Sequence, residues 1–488
     1  MGLYGLQGMG SSSPSALRVV SALAKRLDCA GADASHPLTT ISGQETAMCL
    51  HGLRGMSTEK REVRHVLSVL ARRIRQSPCI MSGQELSTAL AGLQSMGQGA
   101  QGHRTSTGNR HGIFEDELLA FAAPYKRRTS SSSSSSSSTG TAGTGARAGE
   151  AQWSEAPQLI EVLTALVEKL KKRTAPLSGP EVCAALLGLQ GVSADVAAVR
   201  SILSCLATDL SIAARGAKAS SSSPRKPSGG NSSSSSSSSI SIERQDQPLD
   251  SRHMAAAFFG LRNLRSSRLV VLRLLSALAE LVEASPHSLT AQGVGNAFYG
   301  LQGMSSHKPE VRHAVEALAA KVEGMPESEA LSGQNIGNAL WGLRNMTAEY
   351  VEVRRALGAL SRRIRSSPAE MNAQNLANAL YSLNAMTDDE PEVRDVLSAL
   401  AHKLVQSRSE LTGLDIGMAL YGLRSMNSET PEVRVVLGLL ILKVKQSSSP
   451  LQLRDLSRAM IGLLNTQEWI VDDFMRVLAS KTPGMNTL

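Results

Sequence analysis

Gln334, Asn338, Trp341 and Asn345 follow one another at steps of four, three and four residues within LSGQNIGNALWGLRNM, Leu331–Met346. On an α-helix those steps keep side chains on one face. Amides offer a donor and an acceptor side by side, suited to reading the edges of nucleobases, and an indole is a surface on which a base stacks. Gln374, Asn378 and Tyr381 repeat the arrangement downstream, Gln292, Asn296 and Tyr299 repeat it upstream, and Tyr421 keeps the aromatic alone. Eight aromatics fall at the two positions before the Gly-Leu (once Ser-Leu) of this segment: Tyr4, Phe258, Phe259, Phe298, Tyr299, Trp341, Tyr381 and Tyr421. An architectural reading stands beside the chemical one. The aromatics would then pack between successive helices, and the amides would form an internal hydrogen-bond ladder.

A second constellation is basic. Arg72, Arg73 and Arg75 close one copy of a recurring segment, and Arg362, Arg363 and Arg365 close another; Lys403 and Lys443 hold similar places. Stacked copies would align these cations into an edge for a phosphate backbone, with Arg72, Arg73, Arg362, Arg363, Lys403 and Lys443 as the contacts. Cations also favour helix C-termini for reasons of dipole alone. The Arg of the PEVR-like motif (Arg64, Arg312, Arg354, Arg394, Arg434) sits early in its helix, where the dipole gives a cation no advantage. It is expected to make a structural hydrogen bond to a helix end between repeats.

No catalytic constellation emerges. HExxH, GxSxG, P-loop and dinucleotide fingerprints are absent, and the ten histidines are scattered across repeat phases. The five cysteines show no CxxC spacing and fall mostly at small or apolar positions, which reads as reduced packing residues. The expectation is a non-enzymatic chain with no cofactor, no metal, no small-molecule substrate and no membrane association. No apolar run is read as a membrane span. The net charge of +9 makes an anionic partner plausible.

The elements that position these residues are repeats. Leu331–Met346 returns as MNAQNLANALYSLNAM (Met371–Met386) and LTGLDIGMALYGLRSM (Leu411–Met426), and earlier as LTAQGVGNAFYGLQGM (Leu289–Met304). More distant copies begin at Ile41, Met81, Leu177, Leu249 and Leu451. Each is followed by a second segment such as TDDEPEVRDVLSALAHKL, Thr387–Leu404, in which Val393, Val396, Leu397, Leu400 and Leu404 recur at helical spacing. Ser42, Ser82 and Ser178 precede Glu45, Glu85 and Glu181 by three residues, the signature of a capping box. Pro391 and Pro431 suit a first helical turn. One unit therefore reads as helix A of about 15 residues, a turn, and helix B of about 18. The fold class is all-α, an α-solenoid of two-helix repeats with a period of about 40 residues. On the helical wheel Ile336, Leu340 and Leu343 form the buried stripe of helix A, and Gln334, Asn338, Trp341 and Asn345 lie opposite.

The expected organisation is helical repeats over 1–127, a Ser/Gly-rich linker over 128–150, and a repeat segment over 151–213. A Ser-rich linker over 214–248 and a C-terminal array over 249–482 follow. FEDELLAFAAPYKRR, before the first linker, reads as a short helix outside the repeat pattern. The opening MGLYGLQGM corresponds to the second half of helix A, so the first repeat reads as truncated, with any targeting segment upstream.

QNIGNALWGL (Gln334–Leu343) and QNLANALYSL (Gln374–Leu383) resemble the core motif of octotricopeptide repeats, and the Leu-rich repeats of FAST-kinase-like and RAP proteins are similar. The resemblance covers helix A in about nine copies and is strongest from Leu289 to Met426; helix B, with PEVRxxLxAL, is this chain's own. It implies a modular binder of single-stranded RNA in a mitochondrion or chloroplast, acting in RNA processing, stability or translation. Helix A would face the bases. The rival reading is a protein-interaction scaffold gripping an extended peptide with the same stripe.

Overall fold

A computed structural model describes residues 2–29, 41–94, 96, 156–190, 193–222 and 249–481. The first linker and the FEDELLAFAAPYKRR segment lie outside these residues, as does 223–248 of the second linker. Among the described residues all regular structure is helical.

The chain divides into two compact units, one within Met1–Met81, Thr88–Lys172 and Gly191–Val199, the other within Ser82–Ser87, Arg173–Gln190 and Arg200–Leu488. The helices, in chain order, are α1 (Pro14–Cys29), α2 (Gly43–Gly52), α3 (Arg61–Gln76), α4 (Gly83–Ala91), α5 (Pro157–Lys171) and α6 (Gly179–Gly188). They continue with α7 (Ala197–Ser222), α8 (Ser251–Gly260), α9 (Leu269–Ala284), α10 (Ala291–Gly300), α11 (Pro309–Glu323), α12 (Gly333–Gly342) and α13 (Val351–Ser366). The last six are α14 (Ala373–Tyr381), α15 (Pro391–Gln406), α16 (Gly413–Gly422), α17 (Pro431–Gln446), α18 (Leu453–Gly462) and α19 (Glu468–Lys481). A 3₁₀ turn, Tyr4–Leu6, precedes them.

In the first unit α1 packs on α3 and α3 on α5, while the Tyr4–Leu6 turn lies against α2. In the second unit the A helices α6, α8, α10, α12, α14, α16 and α18 pack each on the next, and the B helices α9, α11, α13, α15, α17 and α19 do the same. These contacts of each helix with its counterpart in the neighbouring copy are those of a helical solenoid.

Local sequence explains the elements. Ser42 and Ser82 make the expected boxes, each accepting from the main-chain N–H of Glu45 or Glu85, whose carboxylate accepts from the Ser N–H in return. Thr412 and Asp415 form a further box. Asp250, Thr290, Ser332 and Asn372 cap α8, α10, α12 and α14 in the same way. Pro391 and Pro431 open α15 and α17. Helix A is shorter than the sequence suggests, 10 residues in α12, because it stops at the Gly and continues as a turn. Helix B runs 16 residues in α13.

The Gly that ends helix A is a contact point. A Cβ on Gly342 would overlap the Phe298 carbonyl oxygen, and one on Gly300 would overlap that of Phe258. Glycine here lets adjacent A helices approach backbone to backbone.

Among the described residues one helix segment, Ala197–Ala217, is long and apolar enough to cross a membrane, by length and composition. That corrects the reading that no apolar run reaches such a length. Ile202, Leu203, Leu206, Leu210 and Ala214 of this segment are buried, as in a core helix of a folded domain. Helix α7 also extends through 214–222, the start of the stretch read as a linker.

Candidate functional site

The core face of helix A is as the wheel predicts: Ile336, Leu340 and Leu343 are buried. Gln292, Gln334 and Gln374 are exposed on the first turns of α10, α12 and α14, Asn296 and Asn338 are half-buried, and Asn345 is exposed. None of the first five has a side-chain hydrogen bond among the described residues. Tyr299, Tyr381 and Tyr421 are half-buried.

Two members of the stripe depart from the expectation of free exposure. Trp341 is 6% exposed and Asn378 is 7% exposed. The wheel treats helix A as isolated, but each A helix here has another on either side, so the flank of the stripe is covered. The Trp341 ring stacks on Tyr381 at 5.4 Å between centroids, and Tyr381 stacks on Tyr421 at 5.6 Å. Phe259 and Tyr299 stack at 5.9 Å. Phe258 and Phe298, one residue earlier, are fully buried core. The rings thus use faces on each other and form a self-stacked spine.

Arginines complete the spine. Arg262, Arg344 and Arg424 lie over Phe259, Trp341 and Tyr421 at 4.7, 4.4 and 4.6 Å from the ring centroids. Each stands three residues after its ring, in the turn that follows helix A, and such contacts stabilise by about 0.5–2 kcal/mol. Gln302 and Asn384 hold the same position in the intervening copies. Gln302 Oε1 accepts from Trp341 Nε1 at 2.9 Å and from Arg344 Nη1 at 2.8 Å, and Arg424 Nε donates to the Asn384 carbonyl at 3.1 Å. Asn345 Nδ2 donates to the Gln302 carbonyl at 2.7 Å. The spine is therefore the internal ladder, while the Gln–Asn stripe beside it is not part of that ladder. The FGLR, WGLR and YGLR strings carry this signal in the sequence; recognising it required knowing that adjacent copies touch there.

The basic edge is likewise corrected. Lys403 is 1% exposed, and its Nζ donates to the carbonyls of Ser367 at 2.5 Å and Ala369 at 3.0 Å. Lys443 donates to the Ser407 carbonyl, Arg363 to the Met325 and Pro326 carbonyls, and Arg73 to the Leu27 carbonyl. Each caps the C-terminal end of the preceding B helix, whose carbonyls lack intrahelical partners. Burial lowers the ordinary pKa of Lys403. Arg72 and Arg362 remain exposed, paired with Asp28 and Glu323. None of the six forms an unengaged phosphate-facing edge.

The PEVR arginine also has its job. Arg354 Nη1 donates to the Ala348 and Glu349 carbonyls at 2.9 Å each, and Arg394 Nη1 to Asp388 and Asp389 at 2.7 and 2.9 Å. These bonds close the turn of its own hairpin, and Arg312 and Arg354 also reach the following repeat, pairing with Glu352 at 3.4 Å and Glu390 at 3.5 Å.

Asn378 is 7% exposed, and its amide, which has no side-chain hydrogen bond among the described residues, keeps contact with solvent. It lies one turn from the exposed Gln374 on α14. Among the described residues no three His, Cys, Asp or Glu side chains converge as metal ligands would. In comparison with known proteins, no family model matches the chain, and no curated protein is significantly similar to it in sequence.

Proposed function

We propose that the chain is an RNA-binding α-solenoid, built of two-helix repeats with a period of about 40 residues, that holds single-stranded RNA along its A helices. The observation that carries this reading is the stripe of amides without protein partners, Gln292, Asn296, Gln334, Asn338, Gln374 and Asn378. Amides at i and i+4 present donor and acceptor groups to one side, as reading a base edge requires. The net positive charge favours a polyanion. The organellar setting, in RNA processing, stability or translation, rests on the sequence resemblance alone.

A protein-interaction scaffold is the second reading, and the closed aromatic spine favours it. With the ring faces occupied, what remains are amides, which also bond to the main chain of an extended peptide. The test is binding of mixed single-stranded RNA by fluorescence anisotropy at about 50 and 200 mM salt. Binding that weakens steeply over that range is expected. No binding at the lower salt would overturn the RNA reading in favour of a scaffold.

A further inference from the structure

Helix α18 departs from every other A helix on one face. Two positions after the opening Leu, Met or Ile, the eight other copies carry Gly, Ala or Ser, and α18 carries Leu453. Thirteen positions after it they carry Arg, Gln or Asn, and here stands Leu464. Leu453 and Leu464 are 73% and 74% exposed, and Met460 and Ile461 between them are exposed as well. With Ser457 they follow at steps of four, three, one and three residues, which keeps them on one side of the helix. This is the side on which an A helix receives the next one: Gly413 and Gly417, the equivalents on α16, lie against the start of the following copy.

The face is closed to a further repeat. A Cβ on Gly413 would come within 2.8 Å of the Pro450 carbonyl oxygen, and one on Gly333 within 2.6 Å of the Glu370 carbonyl oxygen. Both oxygens belong to the loop that leads into the next A helix. Leu453 fills that space with a whole side chain, so another repeat stacked in the same geometry would overlap it. Leu464 offers neither the guanidinium with which Arg424 covers Tyr421 nor the amide with which Gln302 holds Trp341. The face is thus apolar and exposed, yet unfit for head-to-tail stacking.

It does fit itself. Laid antiparallel on a second α18, it sets Leu453 opposite Leu464, Leu456 opposite Ile461, and the small Ser457 opposite the long, adaptable Met460. Arg454 then faces Leu463, so no like charges meet. The four exposed apolar side chains present on the order of 400 Å², about half of the roughly 800 Å² that each partner buries in a standard interface, and such interfaces are only a little over half apolar. We propose that this face is the interface of a homodimer, in which two copies pair α18 against α18 about a twofold axis. The pairing is isologous, so it covers both faces at once and closes without leaving a site for a third chain.

The experiment is sedimentation velocity on the full chain without nucleic acid, over about 1–100 µM, where mass action populates a dimer of ordinary strength. The mass is expected to rise from one chain to two and no further. Leu453→Ser with Leu464→Arg, residue types that other copies carry at these places, is expected to weaken the dimer at least about tenfold, with helical content unchanged. Ile461→Asp alone should act in the same direction. Leu442→Arg, at an exposed apolar position on α17, is expected to leave the dimer intact. A single-chain mass throughout, or masses growing past two chains, overturns the twofold pairing. So does a dimer that survives both α18 variants or is lost with Leu442→Arg.

Discussion

Lys403 Nζ lies 2.5 Å from the main-chain carbonyl oxygen of Ser367, placing the cation of one B helix on the C-terminal end of the B helix before it. The same relation recurs with Lys321 on Ser285, Lys443 on Ser407 and Lys481 on Ser447. Ser367 Oγ in turn donates to the Leu331 carbonyl at 2.6 Å, tying the end of helix B to the start of its own helix A. A lysine that looks from sequence like a ligand contact is a joint between repeats. Lys403→Ala is expected to lower unfolding free energy by about 2–3 kcal/mol, since charged hydrogen bonds to otherwise orphaned carbonyls are lost. Denaturant titration checks this, and a change under about 0.5 kcal/mol would contradict the joint role.

Two glycines of like context in sequence should respond in opposite directions. Gly342→Ala drives a methyl into the Phe298 carbonyl and is expected to cost about 3 kcal/mol or more. Gly438, within α17, has open space where a Cβ would stand, so Gly438→Ala should stabilise by about 0.5–1 kcal/mol through helix propensity. Thermal unfolding of the two variants compares them directly.

What was legible in the sequence was whatever depends on one helix at a time. The core stripe of Ile336, Leu340 and Leu343, the caps at Ser42 and Ser82, and the N-terminal prolines follow from periodicity and local hydrogen bonding. What was not legible depends on the neighbouring copy. Trp341 turns inward because Tyr381 covers it, and Lys403 is consumed by a carbonyl 36 residues away. The PEVR arginine was recognised as structural, but the turn carbonyls of its own hairpin, which it bonds besides the next repeat's carboxylates, were not foreseen.

Asn378 allows stability and binding to be separated. Asn378→Leu replaces an amide that has no side-chain hydrogen bond among the described residues by an apolar group of similar volume. Stability of the free protein is expected to change by less than about 0.5 kcal/mol while RNA affinity falls. Paired denaturant and anisotropy measurements on the variant check both; a loss of stability above about 1 kcal/mol would mean that the amide has a structural role.

Glu45 supplies a pH prediction. The Ser42 N–H and hydroxyl donate to its carboxylate and hold its pKa below the ordinary 4.5. Because the folded value is the lower one, the box contributes above the unfolded pKa and is lost as pH falls through the folded pKa. Amide exchange in the first turn of α2 should accelerate on acidification beyond the intrinsic trend, and Ser42→Ala should remove that extra dependence.

The most direct test of the account sets the amide stripe against the basic edge. RNA affinity is measured for wild type, for Gln292→Ala/Gln334→Ala/Gln374→Ala, and for Arg362→Gln, an exposed helix B cation. The prediction is at least about tenfold weaker binding by the triple variant at unchanged thermal midpoint, with Arg362→Gln within about twofold of wild type. Full affinity in the triple variant together with a marked loss in Arg362→Gln would place the contact on helix B and contradict the account.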